Sequence, residues 1–129
     1  MVGKSFKAVY KIDYLEEARK EYDDLDGSQL VFVKKGLNRI AVKGMQAGSP
    51  LHGDLEGCNK LKNRKMGLRI IFTQEDKTIK IIKIVAIGKR RRLEVYKNAV
   101  ERLNSIHKWK REIAILEIVA ISLFWFSTT

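Results

Sequence analysis

The chain has 129 residues, enough for one domain with a modest core, and its 26 Lys+Arg against 15 Asp+Glu give a formal net charge of +11. The single cysteine, Cys58, excludes an internal disulfide, and the two distant histidines, His52 and His107, exclude an obvious ligand cluster for a transition metal. Residues 1–59 carry nine basic and nine acidic side chains, whereas residues 60–111 carry 17 basic against 4 acidic, so the excess charge sits in one half and points to a polyanionic partner.

The elements follow in order. Met1–Tyr10 holds two lysines and no sustained apolar run, which argues against a secretory leader and for a cytoplasmic protein. Phe6, Ala8, Tyr10 and Ile12 alternate with Lys7, Val9 and Lys11, the period of a half-buried strand. Asp13 and Glu16 form a capping-box-like helix start, and Leu15, Ala18, Tyr22 and Leu25 share one face of the helix that follows. Asp26-Gly27-Ser28 breaks it, with Ser28 placed to cap a second helix whose stripe is Leu30, Val33, Leu37, Ile40 and Ala41. Gly48-Ser49-Pro50 ends this hairpin.

Short strands come next. Lys60 to Arg64 is the first and Leu68 to Thr73 the second, with Leu68, Ile70 and Phe72 on one face and Arg69, Ile71 and Thr73 on the other. Glu75-Asp76-Lys77 turns the chain into Thr78 to Ile87, a β-branched run that reads as a central strand stopped by Gly88. Leu93, Tyr96, Val100 and Leu103 then recur at helical spacing. The sum is an α+β fold: an N-terminal strand and helical hairpin, a small antiparallel-rich twisted sheet, and a C-terminal helix. A domain over 1–105 is followed by a basic, then hydrophobic, extension over 106–129 that is expected to be helical.

Placement singles out a set of polar residues in apolar surroundings. Lys60 and Lys62 project to the same strand face about 7 Å apart, Arg69 leaves the next strand opposite Leu68 and Ile70, and Arg90 follows the end of the long strand. Tyr96 falls about two turns into the last helix. A basic sheet face with one aromatic suits RNA. Each residue also has a plainer reading: solvent-facing lysines, an Arg69 ion pair with Glu94 or Asp76, and a core position for Tyr96.

The ordered pattern Leu51-x-x-x-Leu55-x-Gly57, Lys60-x-Lys62-x-Arg64, Gly67-x-Arg69-Ile70-Ile71, Ile87-Gly88-Lys89-Arg90 and Glu94-Val95-Tyr96 resembles the RelE toxins of bacterial type II toxin–antitoxin modules, in the RelE/ParE superfamily. The resemblance runs from about Tyr10 to Leu103. It implies a small α+β domain, cleavage of mRNA in the ribosomal A site without a cofactor or metal, and a cognate antitoxin as inhibitor. It also implies that Lys60, Lys62, Arg69, Arg90 and Tyr96 are catalytic, with Arg64, Lys65, Lys89, Arg91 and Arg92 as RNA contacts. Complexes of such modules often bind their own operator DNA. Where the family often has tyrosines, this chain has Leu68 and Phe72, and Arg90-Arg91-Arg92 is denser in charge than usual.

The chemistry is demanding. RNA supplies its own nucleophile, so the protein must activate the 2′-OH, hold an anionic phosphorane and neutralise the leaving 5′-oxygen. A lysine of ordinary pKa is neutral about once in 2,500 at pH 7, a deficit of roughly 4.6 kcal/mol. Crowding among Lys60, Lys62 and Arg69 is expected to lower a lysine's pKa. Two other readings stay open on sequence: a ParE-like binder that poisons DNA gyrase and cleaves nothing, and an inactive basic nucleic-acid-binding module. Residues 113–126 hold one charge, Glu117, and at roughly 21 Å of helix fall short of the ~30 Å hydrocarbon core, which argues against a transmembrane span. Packing onto the domain or a partner, an interfacial membrane helix, or an extension without function are the readings left for them.

Overall fold

The computed structural model describes residues 8–127, so Phe6 and Lys7 of the first expected strand lie outside the described residues. Strand β1 (Lys11–Tyr14) leads into the helices α1 (Glu16–Asp23) and α2 (Gly27–Lys43). A 3-10 turn at Gly44–Ala47, the two-residue strand β2 (Ser49–Pro50) and a second 3-10 turn at Gly53–Leu55 precede the main strands. These are β3 (Cys58–Asn63), β4 (Leu68–Thr73) and β5 (Ile81–Lys89), followed by a 3-10 turn at Arg91–Leu93 and the long helix α3 (Glu94–Ser127).

The five strands form one mixed sheet in the order β1-β5-β4-β3-β2, with only β1 and β5 parallel. The alternation expected for β4 decides what lies on each face. Leu68, Ile70 and Phe72 point to α1 and α2, where Ala18, Val33, Leu37, Ile40, Ile82, Ile84 and Ile87 complete a core. Ile71 points the other way, to Cys58, Val85, Ala86, Val95 and Ala99 beneath α3. Each fully buried Ile, Leu or Phe contributes about 1.5–3 kcal/mol, so both helical layers are held by the same strand.

A bulge shapes β5. Ile71 pairs with Ala86 and Phe72 with Ile84, which leaves Val85 as the extra residue. Val85 and Ala86 therefore both face α3 while Ile84 and Ile87 stay on the hairpin side. Beyond Tyr14 the border of β5 has no strand beside it, and side chains take over. Glu21 of α1 accepts the Ile87 N–H (3.2 Å), and Arg102 of α3 donates to the Val85 carbonyl (3.0 Å) and to Glu21 (2.6 Å). This clamp ties α1, β5 and α3 together.

Several local expectations differ from the structure. Asp13 belongs to β1 and its carboxylate accepts the Tyr14 N–H, so it caps no helix, and α1 starts after Leu15 with no side-chain cap. Ser28 lies inside α2, whose preceding residue is Asp26. The first main strand begins at Cys58 rather than Lys60, and β5 begins at Ile81 rather than Thr78. The reason for the latter is the Asp76 carboxylate, which accepts both the Thr78 N–H (2.9 Å) and hydroxyl (2.6 Å) and holds Thr78 in the turn. Gly88 does not stop β5, which continues through Lys89. Leu93 leaves the helical stripe: it is exposed, in a left-handed turn with φ 59°, after Arg92 with φ 55°. The residues that pin α3 to the sheet are Val95 and Ala99, both fully buried.

Candidate active site

The α3 side of the sheet carries the site. Register places Lys62 opposite Arg69, and Arg69 opposite Gly88, so a lysine, an arginine and a residue without a side chain lie in one row across β3, β4 and β5. Lys60 lies one step along in the next row, opposite Ile71, which is opposite Ala86. Tyr96 is the third residue of α3, nearer the helix start than the sequence spacing suggested. Its half-buried ring packs on the α3 core while the Lys60 ammonium stands 5.8 Å from the ring centroid.

Arg69 is the centre of the row. It is 3% exposed, yet none of the ion pairs among the described residues includes it. Its Nη1 donates to the Leu68 carbonyl (3.0 Å) and toward the Asn63 carbonyl (3.4 Å), while its Nε is buried without a partner. The expected alternative, an ion pair with Glu94 or Asp76, is not formed. A guanidinium taken out of water without a carboxylate is costly, and a donor with nothing to bind adds to that cost. Arg69 is thus a fixed positive charge with no counter-ion among the described residues.

Lys62 is exposed, and its pKa lies below that of an ordinary lysine. The nearby Arg64 guanidinium is the largest cause, with slight desolvation and the charges of Lys60 and Arg69 acting in the same direction and Tyr96 against them. The crowding expected from the sequence therefore acts, but on Lys62 and mainly through Arg64.

Arg90 is set by a turn that sequence reasoning did not single out. The Asn63 side chain accepts the Met66 N–H (3.0 Å), and Gly67 closes the β3–β4 turn with φ 64°, a conformation costly for residues with a Cβ. The Gly67 carbonyl then accepts the Arg90 N–H (2.7 Å), which fixes Arg90 one step beyond the Leu68–Lys89 pair. Its side chain is exposed. The structure thus brings Lys60, Lys62, Arg69 and Tyr96 onto one face and puts Arg90 at the same end of the sheet. Arg64 and Lys65 in the β3–β4 turn, Lys89 at the end of β5, and Arg91 and Arg92 before α3 are all exposed around that end. The signal for the missed turn was there in Asn63 and Gly67 between two strands.

No protein-family model matches the chain. A RelE-like toxin protein of Escherichia coli is 36% identical over 95 residues, which are 73% of this chain and 97% of the relative. The mRNA interferase toxin RelE of Escherichia coli is 31% identical over 94 residues, with the same shares of both chains. Among solved structures, a mutant of Escherichia coli RelE in the free state superimposes with a TM-score of 0.60 at 30% identity, over 74% of this chain and 98% of that one. The RelE toxin of the intact Escherichia coli RelBE toxin–antitoxin complex gives 0.53 at 26% identity, over 63% and 96%. With a relative of this identity matched over nearly its whole length, and a basic sheet face built on the ordered motifs described above, the chain belongs to the RelE family of toxins.

Proposed function

We propose that this protein is a toxin of a type II toxin–antitoxin module that cleaves mRNA in the ribosomal A site, by attack of the ribose 2′-OH on the adjacent phosphodiester, without a metal. The observation that carries the reading is Arg69: a buried guanidinium with an unpartnered donor and no counter-ion among the described residues, beside Lys60, Lys62 and Tyr96. An anionic phosphorane is the species that such a preorganised charge stabilises, at roughly 3–4 kcal/mol for a well-placed donor.

The roles follow from chemistry. Lys62, opposite Arg69 in the row and with Arg64 favouring its neutral amine, serves as the general base. Lys60 and Arg69 bind the non-bridging oxygens. Arg90 offsets by charge the negative oxygen left as the P–O5′ bond breaks, and water supplies that oxygen's proton. Tyr96, steadied against Lys60, stacks on a base or orients the 2′-OH. Arg64, Lys65, Lys89, Arg91 and Arg92 hold the flanking backbone. The base remains weak, so free RNA is cut slowly, and the ribosome supplies in-line geometry as an orientation effect. Its inhibitor is an antitoxin whose acidic segment covers the basic face in the cytoplasm.

The test is purified protein incubated with programmed ribosomes, with mRNA 3′ ends mapped. Scission at the A-site codon is expected, reduced on the order of 10²–10³-fold in Arg69→Ala. Intact mRNA under these conditions removes the proposal, and arrest of DNA supercoiling in its place assigns the chain to the gyrase-poisoning relatives.

A further inference from the structure

The two ends of the sheet differ in what they hold. At the end where β4 runs into β5, the Lys110–Glu75 ion pair (3.2 Å) ties down α3, and from His107 to Leu123 every described side chain of that helix is exposed, so the extension does not pack onto the domain. At the other end, where β3 turns into β4, one short segment holds both arginines of the site.

Asn63 and Leu68 form the last pair of the β3–β4 ladder, and their carbonyls both face the Arg69 guanidinium, at 3.4 Å and 3.0 Å from Nη1. Across the turn, the Gly67 carbonyl accepts the Arg90 N–H (2.7 Å). Arg69 and Arg90 therefore take their places from carbonyls at opposite ends of residues 63–67. The fold of that segment sets where one arginine stands relative to the other.

A side chain folds the segment. The Asn63 Oδ1 accepts the Met66 N–H (3.0 Å), the local bond by which asparagine closes a turn on its own backbone. Among the described residues, the turn's other internal bond is the longer one from the Gly67 N–H to the Arg64 carbonyl (3.3 Å). Lys62, Arg64 and Lys65 are all exposed around it, and their mutual repulsion favours a wider loop. The Asn63 bond opposes that spreading and brings in no charge of its own. Met66, which it draws back, packs against the core on the hairpin face.

We propose that Asn63 is a positioning residue for RNA cleavage: its side chain closes the 63–67 turn and so fixes Arg69 and Arg90 at one spacing about the reacting phosphodiester. It acts through the two arginines rather than on a reacting atom. The catalytic half of this inference rests on the endonuclease reading above, whereas the geometric half does not.

The test compares Asn63→Ala, Asn63→Ser and Asn63→Asp in two measurements on the full chain: cleavage on programmed ribosomes, and amide hydrogen exchange. Asn63→Ala is expected to lower kcat on the order of ten- to a hundredfold, the effect of misplacing a catalytic group by about 1 Å. KM is expected to stay within about threefold, because every cation that binds the RNA backbone is still present. In the same variant the Met66 and Arg90 amides exchange on the order of tenfold faster, while those of Ile71 and Ala86 in the sheet keep their protection. Asn63→Asp retains the acceptor and restores both readouts, and Asn63→Ser, which makes the bond more weakly, falls between. Any other rank order overturns the proposal, as does an Asn63→Ala variant that cleaves at the unsubstituted rate. A loss of kcat with the Met66 and Arg90 amides unmoved also overturns it, and assigns Asn63 to direct contact with RNA. If the unsubstituted protein leaves mRNA intact, the endonuclease reading falls instead, and unchanged exchange in Asn63→Ala would still overturn the geometric claim.

Discussion

Arg69 and Lys62 lie opposite each other, yet they handle charge in contrary ways. Arg69 is buried and held by backbone carbonyls, so its charge is fixed in place. Lys62 is exposed among cations, which favours the neutral amine. On the proposed role of Lys62 as general base, kcat/KM on programmed ribosomes is expected to rise with pH through its lowered pKa and then level. Arg64→Gln removes the largest cause of the lowering. The pKa of Lys62 then moves up toward ordinary lysine, and the rising limb shifts to higher pH with a slower rate at neutrality, which a pH–rate profile measures. Arg102 makes a different prediction. Its side chain is 13% exposed and holds Glu21, Glu17 and the Val85 carbonyl, so Arg102→Ala strands a half-buried carboxylate and is expected to cost about 2–3 kcal/mol in urea unfolding.

At the scale of elements, legibility tracks locality. β4 is readable to the residue because the strict alternation of Leu68, Ile70 and Phe72 with Arg69 and Ile71 is a property of six neighbours. The stripes of α1 and α2 are readable for the same reason. Asp13 and Ser28 look like caps only in isolation, because β1 pairs with β5 through Tyr14, about seventy residues away, and α2 starts earlier than a serine cap requires. In the site, the spacing of Lys60, Lys62 and Arg69 puts all three on one face, whereas the turn that fixes Arg90 runs through a carbonyl on another loop. The bulge at Val85 and the absence of a carboxylate beside Arg69 depend on long-range packing that no local pattern encodes. Gly48 adds a prediction here. A Cβ at Gly48 would run into the Lys60 carbonyl and the Phe72 ring, so Gly48→Ala pushes β2 away from β3. The expected loss is about 2–3 kcal/mol by thermal unfolding, with reduced cleavage because Lys60 moves with its strand.

For the molecule as a whole, charge is arranged by end. The turns at 64–67 and 90–93 bring their cations to one end of the sheet, where the backbone of a nucleic acid can neutralise several at once. Replacing Arg64, Arg91 and Arg92 with Gln is expected to lower the slope of log affinity against log salt for RNA-bearing ribosomes by about 0.7 for each phosphate left without its cation. A titration at several salt concentrations measures it. A slope that stays fixed would place the phosphate-binding cations elsewhere.

The borders of the sheet carry a last consequence. One is the two-residue strand with Pro50, which has no amide to offer, and the other is four residues long and gives way to the Glu21–Arg102 clamp. Neither presents the long row of idle amides on which a stranger's extended segment could template itself. A cell holding many copies of this protein is therefore protected from cross-β stacking of the folded domain, and fibril growth has to wait for unfolding.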